Sequence, residues 1–305
     1  MPLQPNRVGE DAPYEPDTWT NAAFVSVTLS AQDNEGGSGL KEIRFSGDDF
    51  SERVYQLQSI LGFGNEGIQT IRYYATDNAG NQESPKTLTT KIDKTSPIVG
   101  SVTINGGDAF TNKTAVNLTL SSYDQGWEPS GVAEMRFSED GTTWSAWEPF
   151  ATSKEWVVSN GDGEKSVYVQ FKDAAGNESD TAQDIIVLDK TPPKVSSTSP
   201  SNNATGVAAT ATISAIFLES GSGIAPGTLT TDTFKVVQVK ASGDVPVSGT
   251  VSYSESTKTA TFSPSSKLAK GAYQATIATG VKDQADNALT NAYTWTFATA
   301  GPSKR

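Results

Sequence analysis

Cysteine and histidine are both absent from the 305 residues, and these absences exclude several kinds of chemistry. Without cysteine there is no disulfide framework, no thiolate nucleophile and no cysteine-ligated metal site. Without histidine there is no Ser-His-Asp triad and no imidazole base or imidazole-bound metal. A glycosidase would need two carboxylates on either side of a substrate, and no pattern in the sequence places such a pair. We therefore expect a protein that is not an enzyme.

Positive charge and long apolar runs are also scarce. The chain has 23 basic and 35 acidic residues, for a net charge of −12, whereas a nucleic-acid backbone calls for a basic face. No stretch approaches the 18 apolar residues of a membrane helix, and the start at Met1-Pro2-Leu3 has no apolar signal region. We expect no nucleic-acid partner and no membrane span, and we interpret the chain as a piece of a longer exported protein.

The sequence does contain a repeat. Asp77–Asn81 (Asp-Asn-Ala-Gly-Asn) returns as Asp173–Asn177 (Asp-Ala-Ala-Gly-Asn), and Asp93–Pro97 (Asp-Lys-Thr-Ser-Pro) returns as Asp189–Pro193 (Asp-Lys-Thr-Pro-Pro). A more distant third unit has Asp283-Gln284-Ala285-Asp286-Asn287, with an aspartate where the first two have glycine. Such self-similarity at a fixed period indicates an array of similar domains.

Within each unit, apolar residues alternate with polar ones, as in Val25/Val27/Leu29 and Ile213/Ala215/Phe217. This period of two is typical of antiparallel strands with one buried face, and turn residues separate the strands at short intervals. The pattern predicts an all-β fold of three tandem immunoglobulin-like β-sandwiches in an elongated rod, because prolines stiffen the short junctions. The predicted divisions are an N-terminal tail at 1–11, sandwiches at 12–97, 98–192 and 193–300, and a C-terminal tail at 301–305.

The first two units resemble the tandem Ig-like domains of bacterial surface proteins and large secreted adhesins. The resemblance rests on Ser38-Gly39-Leu40 and Ser130-Gly131-Val132, on the Asp-x-Ala-Gly-Asn turns and on the Asp-Lys-Thr-x-Pro exits. The third unit resembles another bacterial Ig-like class, also found in S-layer proteins, through segments such as Thr257–Pro264 and Tyr293–Phe297. The resemblance implies stalk or spacer modules, some of which bind calcium where two domains meet.

Acidic residues follow several predicted strands and form two sets. In an Ig sandwich the BC and FG loops share the end at which the domain begins, so the exit residue of one domain should reach those loops of the next. Calcium takes six to eight hard oxygen ligands, and three carboxylates at a junction suit it. The predicted calcium ligands are Asp93, Asp124 and Asp173 at the first junction, and Asp189, Glu219 and Asp283 at the second.

A structural interpretation of the same turns stays open. The aspartate of Asp-x-Ala-Gly-Asn can close a turn onto its own backbone, with Gly80 or Gly176 at positive φ and Asn81 or Asn177 in the left-handed region. That arrangement needs no metal. At the N-terminal end, Asp33 and Asp77 have no preceding domain in this sequence, so a calcium site there would be half-built.

Trp144 and Trp147 suggest an alternative function, because exposed tryptophans beside carboxylates can stack on sugar rings. Residues three apart in a strand face opposite sides, however, which favours one tryptophan in the core and one over a neighbouring strand. The sequence favours a non-catalytic structural spacer of a bacterial cell-surface or secreted protein, with adjacent domains and a surface glycan or protein as partners. The alternative is a carbohydrate-binding accessory region of a secreted polysaccharide-acting enzyme.

Overall fold

The computed structural model describes the backbone of residues 4–7 and the whole of residues 14–300. The chain divides into two compact units. The first comprises Met1–Thr103, Leu118–Lys154 and Val167–Asp184, and the second comprises Ile104–Asn117, Glu155–Ser166 and Ile185–Arg305. The predicted all-β class is confirmed, since the described residues form 25 strands and one short 3-10 helix. Within those residues no helix is long and apolar enough to cross a lipid bilayer.

The predicted tails fall mostly outside the described residues, which exclude 1–3, 8–13 and 301–305. Residues 4–7 of the predicted N-terminal tail form a strand that pairs with the strand at 25–28. They therefore extend the first sheet.

The strands from residue 4 to residue 92, which we call the N-terminal part, form two sheets. Their strands are β1 (Gln4–Arg7), β2 (Trp19–Thr20), β3 (Val25–Thr28), β4 (Leu40–Gly47), β5 (Phe50–Val54), β6 (Leu61–Phe63), β7 (Gly67–Asp77) and β8 (Lys86–Ile92). The sheet orders are β1-β3-β6 and β2-β8-β7-β4-β5. Val25 and Val27 of one sheet lie in a single buried cluster with Ile43 and Ile71 of the other, so the two sheets face each other as a sandwich.

The middle part, which we define as the strands from residue 98 to residue 188, also contains two sheets. Their strands are β9 (Ile98–Ile104), β10 (Phe110–Thr111), β11 (Ala115–Tyr123), β12 (Val132–Ser138), β13 (Glu148–Pro149), β14 (Ser153–Val157), β15 (Gly163–Asp173) and β16 (Ala182–Leu188). The sheet orders are β10-β16-β15-β12-β13 and β14-β11-β9. Alternate residues are buried along β15, where Val167, Val169 and Phe171 are all 0% exposed. The predicted period of two is therefore confirmed in this part.

The C-terminal part is built from β17 (Lys194–Ser199), β18 (Ala204–Val207), β19 (Ile213–Leu218), β20 (Phe234–Val239), β21 (Val245–Pro246), β22 (Gly249–Ser254), β23 (Thr259–Pro264), β24 (Ala272–Ile277), β25 (Tyr293–Thr299) and the 3-10 helix Pro226–Thr228. The sheet orders are β17-β19-β23-β22 and β18-β25-β24-β20-β21. Phe217 and Phe262 of one sheet share a buried cluster with Phe234 and Trp295 of the other, which again gives a sandwich.

In each part the last strand forms a short parallel pair with an early strand. The pairs are β2 with β8, β10 with β16, and β18 with β25. The residue after each last strand continues the ladder, because the amides of Asp93, Asp189 and Ala300 donate to carbonyl oxygens of Thr20, Thr111 and Val207. Asp93 and Asp189 are therefore fixed at the backbone as each part ends.

Candidate metal centres

The first acidic cluster consists of Asp93, Asp124 and Asp173. Asp93 follows β8, Asp124 follows β11, and Asp173 is the last residue of β15. One carboxylate oxygen from each lies within 4.8 Å of the other two. Asp93 and Asp173 are 3% and 2% exposed, and Asp124 is half-buried. The structure thus brings together three residues that span 80 positions of the chain, from Asp93 to Asp173.

Asp93 is held at three points. Its Oδ1 accepts a hydrogen bond from the Thr95 amide at 3.0 Å, and its Oδ2 accepts one from the Ser130 amide at 2.7 Å. The side-chain Nδ2 of Asn177 donates to the Asp93 carbonyl oxygen at 2.9 Å. Both the carboxylate and the main chain of this residue are therefore positioned by loops that lie far along the sequence.

Asp124 and Asp173 are fixed by their own loops. The amides of Gln125 and Gly131 donate to the two oxygens of Asp124 at 2.9 and 2.7 Å. Asp173 Oδ1 accepts from the amide of Asn177 at 2.8 Å, and Oδ2 accepts from the Asn177 side chain at 2.7 Å. An ionised carboxylate has about four acceptor positions, so these oxygens retain lone pairs for a further ligand.

The second cluster, Asp189, Glu219 and Asp283, repeats this design with deeper burial. The three residues are 1%, 4% and 2% exposed, and one oxygen from each lies within 4.8 Å of the others. The Ser222 amide donates to Asp189 Oδ2 at 2.7 Å, and Asn287 Nδ2 donates to the Asp189 carbonyl at 2.8 Å. These contacts correspond one by one to those made by Ser130 and Asn177 in the first cluster.

One carboxylate oxygen of Glu219 has no partner among the described residues. Its Oε1 accepts a hydrogen bond from the Gly221 amide at 2.8 Å, but its Oε2 is buried and has no hydrogen-bond partner among the described residues. Leaving a charged buried oxygen unpaired is costly. A cation at this position would satisfy it, and the all-oxygen donor set fits a hard divalent ion.

Crowding and burial alter the acidity of both clusters. Burial raises the pKa of Asp124 and Asp173, and the neighbouring Asp93 carboxylate raises it further. Burial also raises the pKa of Glu219 and Asp283, with the Asp189 carboxylate acting in the same direction. Neutralising these charges with protons or with a cation relieves the same repulsion.

The pKa of Asp77, in the first of the Asp-x-Ala-Gly-Asn turns, shifts in the opposite direction. The Asn81 side chain donates to its carboxylate, and this hydrogen bond lowers the pKa of Asp77. Among the described residues no third acidic group joins Asp33 and Asp77 in a potential metal cluster. The pKa values are therefore raised only where the turn carboxylate is buried, with the neighbouring carboxylates adding to the effect of burial.

The structural interpretation of the turn is confirmed for glycine and wrong for asparagine. Gly80 and Gly176 have φ values of 92° and 97°, as predicted. Neither Asn81 nor Asn177 has a positive φ, because the asparagine acts through its side-chain amide on the aspartate. The turn geometry and the cation-compatible oxygens occur together, so one does not exclude the other.

The donors that hold Asp93 and Asp189, the aspartates that follow the last strands, are not among the site residues predicted from the sequence. Ser130 and Ser222 contribute backbone amides, and Asn177 and Asn287 contribute side-chain amides. The signal was present in the repeated Ser-Gly pair and in the constant asparagine four residues after the turn aspartate.

Trp144 and Trp147 lie in an irregular segment before β13. The prediction that they face opposite sides of a strand is therefore wrong. The Arg136 guanidinium lies 5.0 Å from the centre of the Trp144 ring and 4.3 Å from that of Trp147. Lys172 Nζ lies 4.4 Å from the Trp147 ring. We call these four residues the cation–aromatic ladder.

Both tryptophans of the ladder are half-buried. Arg136 is held in turn by Gln170 Oε1 at 2.7 Å and by Glu178 Oε2 at 2.8 Å, and Lys172 forms an ion pair with Glu134. The arrangement stabilises the sheet surface. By contrast, Trp127 is 77% exposed.

One part of the chain matches a known protein family. Residues 189–299 match a family described as a bacterial Ig-like domain. No curated protein sequence matches the chain significantly.

Several solved structures share low similarity with the chain. One is from work on host-cell-surface retention of a 1.5-MDa bacterial ice-binding adhesin, with 14% identity, 98% of each chain covered and a TM-score of 0.34. The fibronectin(III)-like modules of Clostridium thermocellum CbhA are 13% identical over 56% of this chain and 87% of theirs, with a TM-score of 0.32. The N-terminal four Ig domains of Dscam1 isoform 6.9 are 12% identical over 98% and 78%, with a TM-score of 0.33. The family match at residues 189–299 alone makes that segment similar to bacterial Ig-like domains.

Proposed function

We propose that the chain is a non-catalytic spacer of a bacterial cell-surface or secreted multidomain protein, and that its two acidic clusters bind calcium. The observation that carries the proposal is the repetition of one donor set. Asp93 and Asp189 each leave a last strand and meet two acidic residues from later loops, through matched contacts to a serine amide and an asparagine side chain.

The donor chemistry favours calcium over transition metals. Each cluster offers carboxylate oxygens, with no nitrogen or sulfur ligand, whereas zinc and copper sites usually include histidine or cysteine. Calcium accepts six to eight oxygens in flexible geometry, with waters and backbone carbonyls completing the set. When bound, it would supply positive charge that offsets the repulsion among the three carboxylates, and the unpartnered Glu219 Oε2 would gain a ligand.

The attachment of Asp93 and Asp189 supports a spacer role. The Asp93 amide donates to Thr20 O, while its carboxylate accepts from the Ser130 amide. A cation bound to this carboxylate would connect the end of β8 to the loops after β11 and β15. The bacterial Ig-like match at residues 189–299 supports an extracellular or surface location, where calcium sites of modest affinity are filled.

The test is calcium binding by the full chain. Isothermal titration should find two sites, and at calcium 100 times above Kd each site should add about 2.7 kcal/mol to the free energy of unfolding. Asp124→Asn and Glu219→Gln should each reduce the number of sites from two to one. The control Asp108→Asn changes an exposed aspartate outside both clusters and should keep two. Equal melting temperatures in calcium and in chelator would contradict the proposal.

The carbohydrate-binding alternative has less support. It relied on Trp144 and Trp147, and cations lie against both rings. A glycan array with the full chain and with Trp147→Ala tests it directly. Reproducible binding that disappears in the variant would favour the alternative over the spacer.

A further inference from the structure

Two segments of this chain dock in the same way. Asp93 and Asp189 each begin an Asp-Lys-Thr-x-Pro segment whose aspartate is buried and whose final proline, Pro97 or Pro193, is also buried. We call these the exit segments. In each case one serine amide binds the aspartate carboxylate, and one asparagine side chain binds its carbonyl oxygen.

The N-terminal sandwich contains the matching receptor loops. Gly39 donates its amide to Asp33 Oδ2 at 2.7 Å, as Gly131 does to Asp124. Asn81 donates its amide and its side chain to Asp77 at 2.8 and 2.7 Å, in the pattern of Asn177 and Asp173.

The link between the two loops is also reproduced. The Ala79 amide donates to Ser38 Oγ at 3.0 Å, as Ala175 and Ala285 do to Ser130 and Ser222. The receptor is therefore preformed down to its internal hydrogen bonds.

No exit segment lies at the N-terminal receptor among the residues that the structure describes. The donor equivalent to the Ser130 amide is the Ser38 amide, which has no acceptor among the described residues. Asn177 Nδ2 donates to Asp173 and to the Asp93 carbonyl, whereas Asn81 Nδ2 donates to Asp77 alone. Among the described residues, the two groups that hold an exit aspartate elsewhere are thus in place with no exit aspartate bound to them.

A surface cavity of about 330 Å³ is lined in part by one of these donors, Asn81. Its lining includes Asp33, Asp77 and Asn81, together with the apolar side chains of Ala31, Leu40 and Ala75. Asn34 and Gln82 also line it. In the middle part their counterparts Gln125 and Glu178 line a cavity together with Ser96 and Pro97 of the docked exit segment. The N-terminal cavity therefore lies where an exit segment would pass.

We infer that the end of the N-terminal sandwich formed by Ser38, Asn81 and this cavity binds the Asp-Lys-Thr-x-Pro exit segment of a preceding Ig-like module. The inference rests on the proposed function in that it treats the chain as one part of a longer series. A second copy of this chain does not offer a free segment of this kind, because β25 is followed by Ala-Gly-Pro and the two internal exit segments are already docked.

The experiment adds the missing segment to the full chain. Ile-Asp-Lys-Thr-Ser-Pro, copied from residues 92–97, is joined to the start of the chain through a short Gly-Ser tether, because β1 pairs with β3 five residues before Asp33. A short tether keeps the segment at millimolar effective concentration. The matched control is the same extension with alanine in place of its aspartate. Backbone NMR and amide hydrogen exchange are compared in calcium and in chelator.

We expect the Ser38 amide to shift and to exchange about tenfold more slowly with the aspartate extension than with the alanine extension. The amides of Ser130 and Ser222 should not change, since their receptors are filled. An identical Ser38 signal in the two extended chains would overturn the inference, even if calcium titration of the unextended chain finds two sites. Protection of Ser38 in chelator, together with a calcium titration that finds no site, would support docking and contradict only the calcium part of the proposed function.

Discussion

At the scale of single residues, the Asp-x-Ala-Gly-Asn turn accepts either glycine or aspartate at its fourth position, where φ is positive. Gly80, Gly176 and Asp286 occupy the same position, with φ values of 92°, 97° and 73°. Aspartate is among the few non-glycine residues that adopt this conformation readily, because its short polar side chain can bond locally. Here its carboxylate pairs with Lys282 Nζ at 2.6 Å, at an exposed site where such a pair contributes little.

We predict that Asp286→Gly is more stable than Asp286→Ala by about 1 kcal/mol, because alanine carries a Cβ at positive φ without the compensating polar contact. Chemical denaturation of both variants measures the difference. Asp244→Ala serves as a control at an exposed position without positive φ. Equal stability of the alanine and glycine variants would show that this position is not strained.

Asp140 closes the turn that lies between Arg136 and Trp144 of the cation–aromatic ladder. Its Oδ1 accepts from the amides of Thr143 and Thr142 at 2.6 and 2.8 Å, and these bonds hold the pKa of Asp140 well below its usual range. A lowered pKa means that the ionised carboxylate stabilises the fold above the unfolded pKa of about 3.9, and that this contribution is lost as the pH falls through the lowered value.

Asp140→Asn should therefore lower the melting temperature at pH 7, and the gap from the parent should narrow as the pH falls below about 4. Melting curves by circular dichroism across this range measure the gap. Glu155→Gln removes an exposed carboxylate with no such bonds and should change little at any pH. A gap that stays constant with pH would mean that the charge of Asp140 is irrelevant to its role.

At the scale of elements, the sequence predicted strands well and irregular segments poorly. Alternation identified Ile213, Ala215 and Phe217 as one buried face of β19, and all three are at most 2% exposed, because burial on one face imposes a period of two. Trp144 and Trp147 carry no such constraint, since they lie outside any strand. Their positions depend on Arg136 and Lys172, which are near them only in the folded chain.

The acidic clusters illustrate the same limit. The order of strands in an Ig sandwich was enough to predict which six carboxylates would meet. It was not enough to predict that Glu219 would have one unpartnered oxygen, or that Asn177 would bind a carbonyl 84 residues away. The first detail depends on side-chain rotamers and loop lengths, which have no local signature in the sequence. The constant asparagine marks Asn177 but does not specify the acceptor that it binds.

The cation–aromatic ladder gives a prediction about β12. Arg136→Met keeps an apolar side chain but removes the cation between two rings, so we expect a loss of about 1–2 kcal/mol in unfolding free energy. Arg53→Met is the matched control, because Arg53 is exposed and lies 5.2 Å from one ring only. Urea denaturation should show a loss of less than about 0.5 kcal/mol for the control. Similar losses for both variants would contradict a special role for the ladder.

At the scale of the whole molecule, calcium should protect the exit segments from proteolysis. Lys94 and Lys190 are exposed and each lies next to a cluster aspartate. Trypsin should cut after them readily in chelator and slowly in calcium, because cleavage requires local opening that a bound ion opposes. The cut after Lys240, an exposed residue outside both clusters, should proceed at one rate in both conditions.

The Glu219→Gln variant separates the two sites in the same assay. Calcium should no longer protect Lys190 in this variant, while protection of Lys94 should persist. Mass spectrometry of the fragments over time gives both rates. If both cuts lose protection together, the clusters do not bind calcium independently.

The short parallel pairs at β2–β8, β10–β16 and β18–β25 have a mechanical consequence. In each pair an early strand runs in the same direction as the last strand of its part. A pull that draws the beginning and the end of such a part in opposite directions slides these two strands along each other. Their hydrogen bonds must then yield together in shear instead of opening singly like a zipper, so the resistance to tension is greatest where the chain leaves each sandwich.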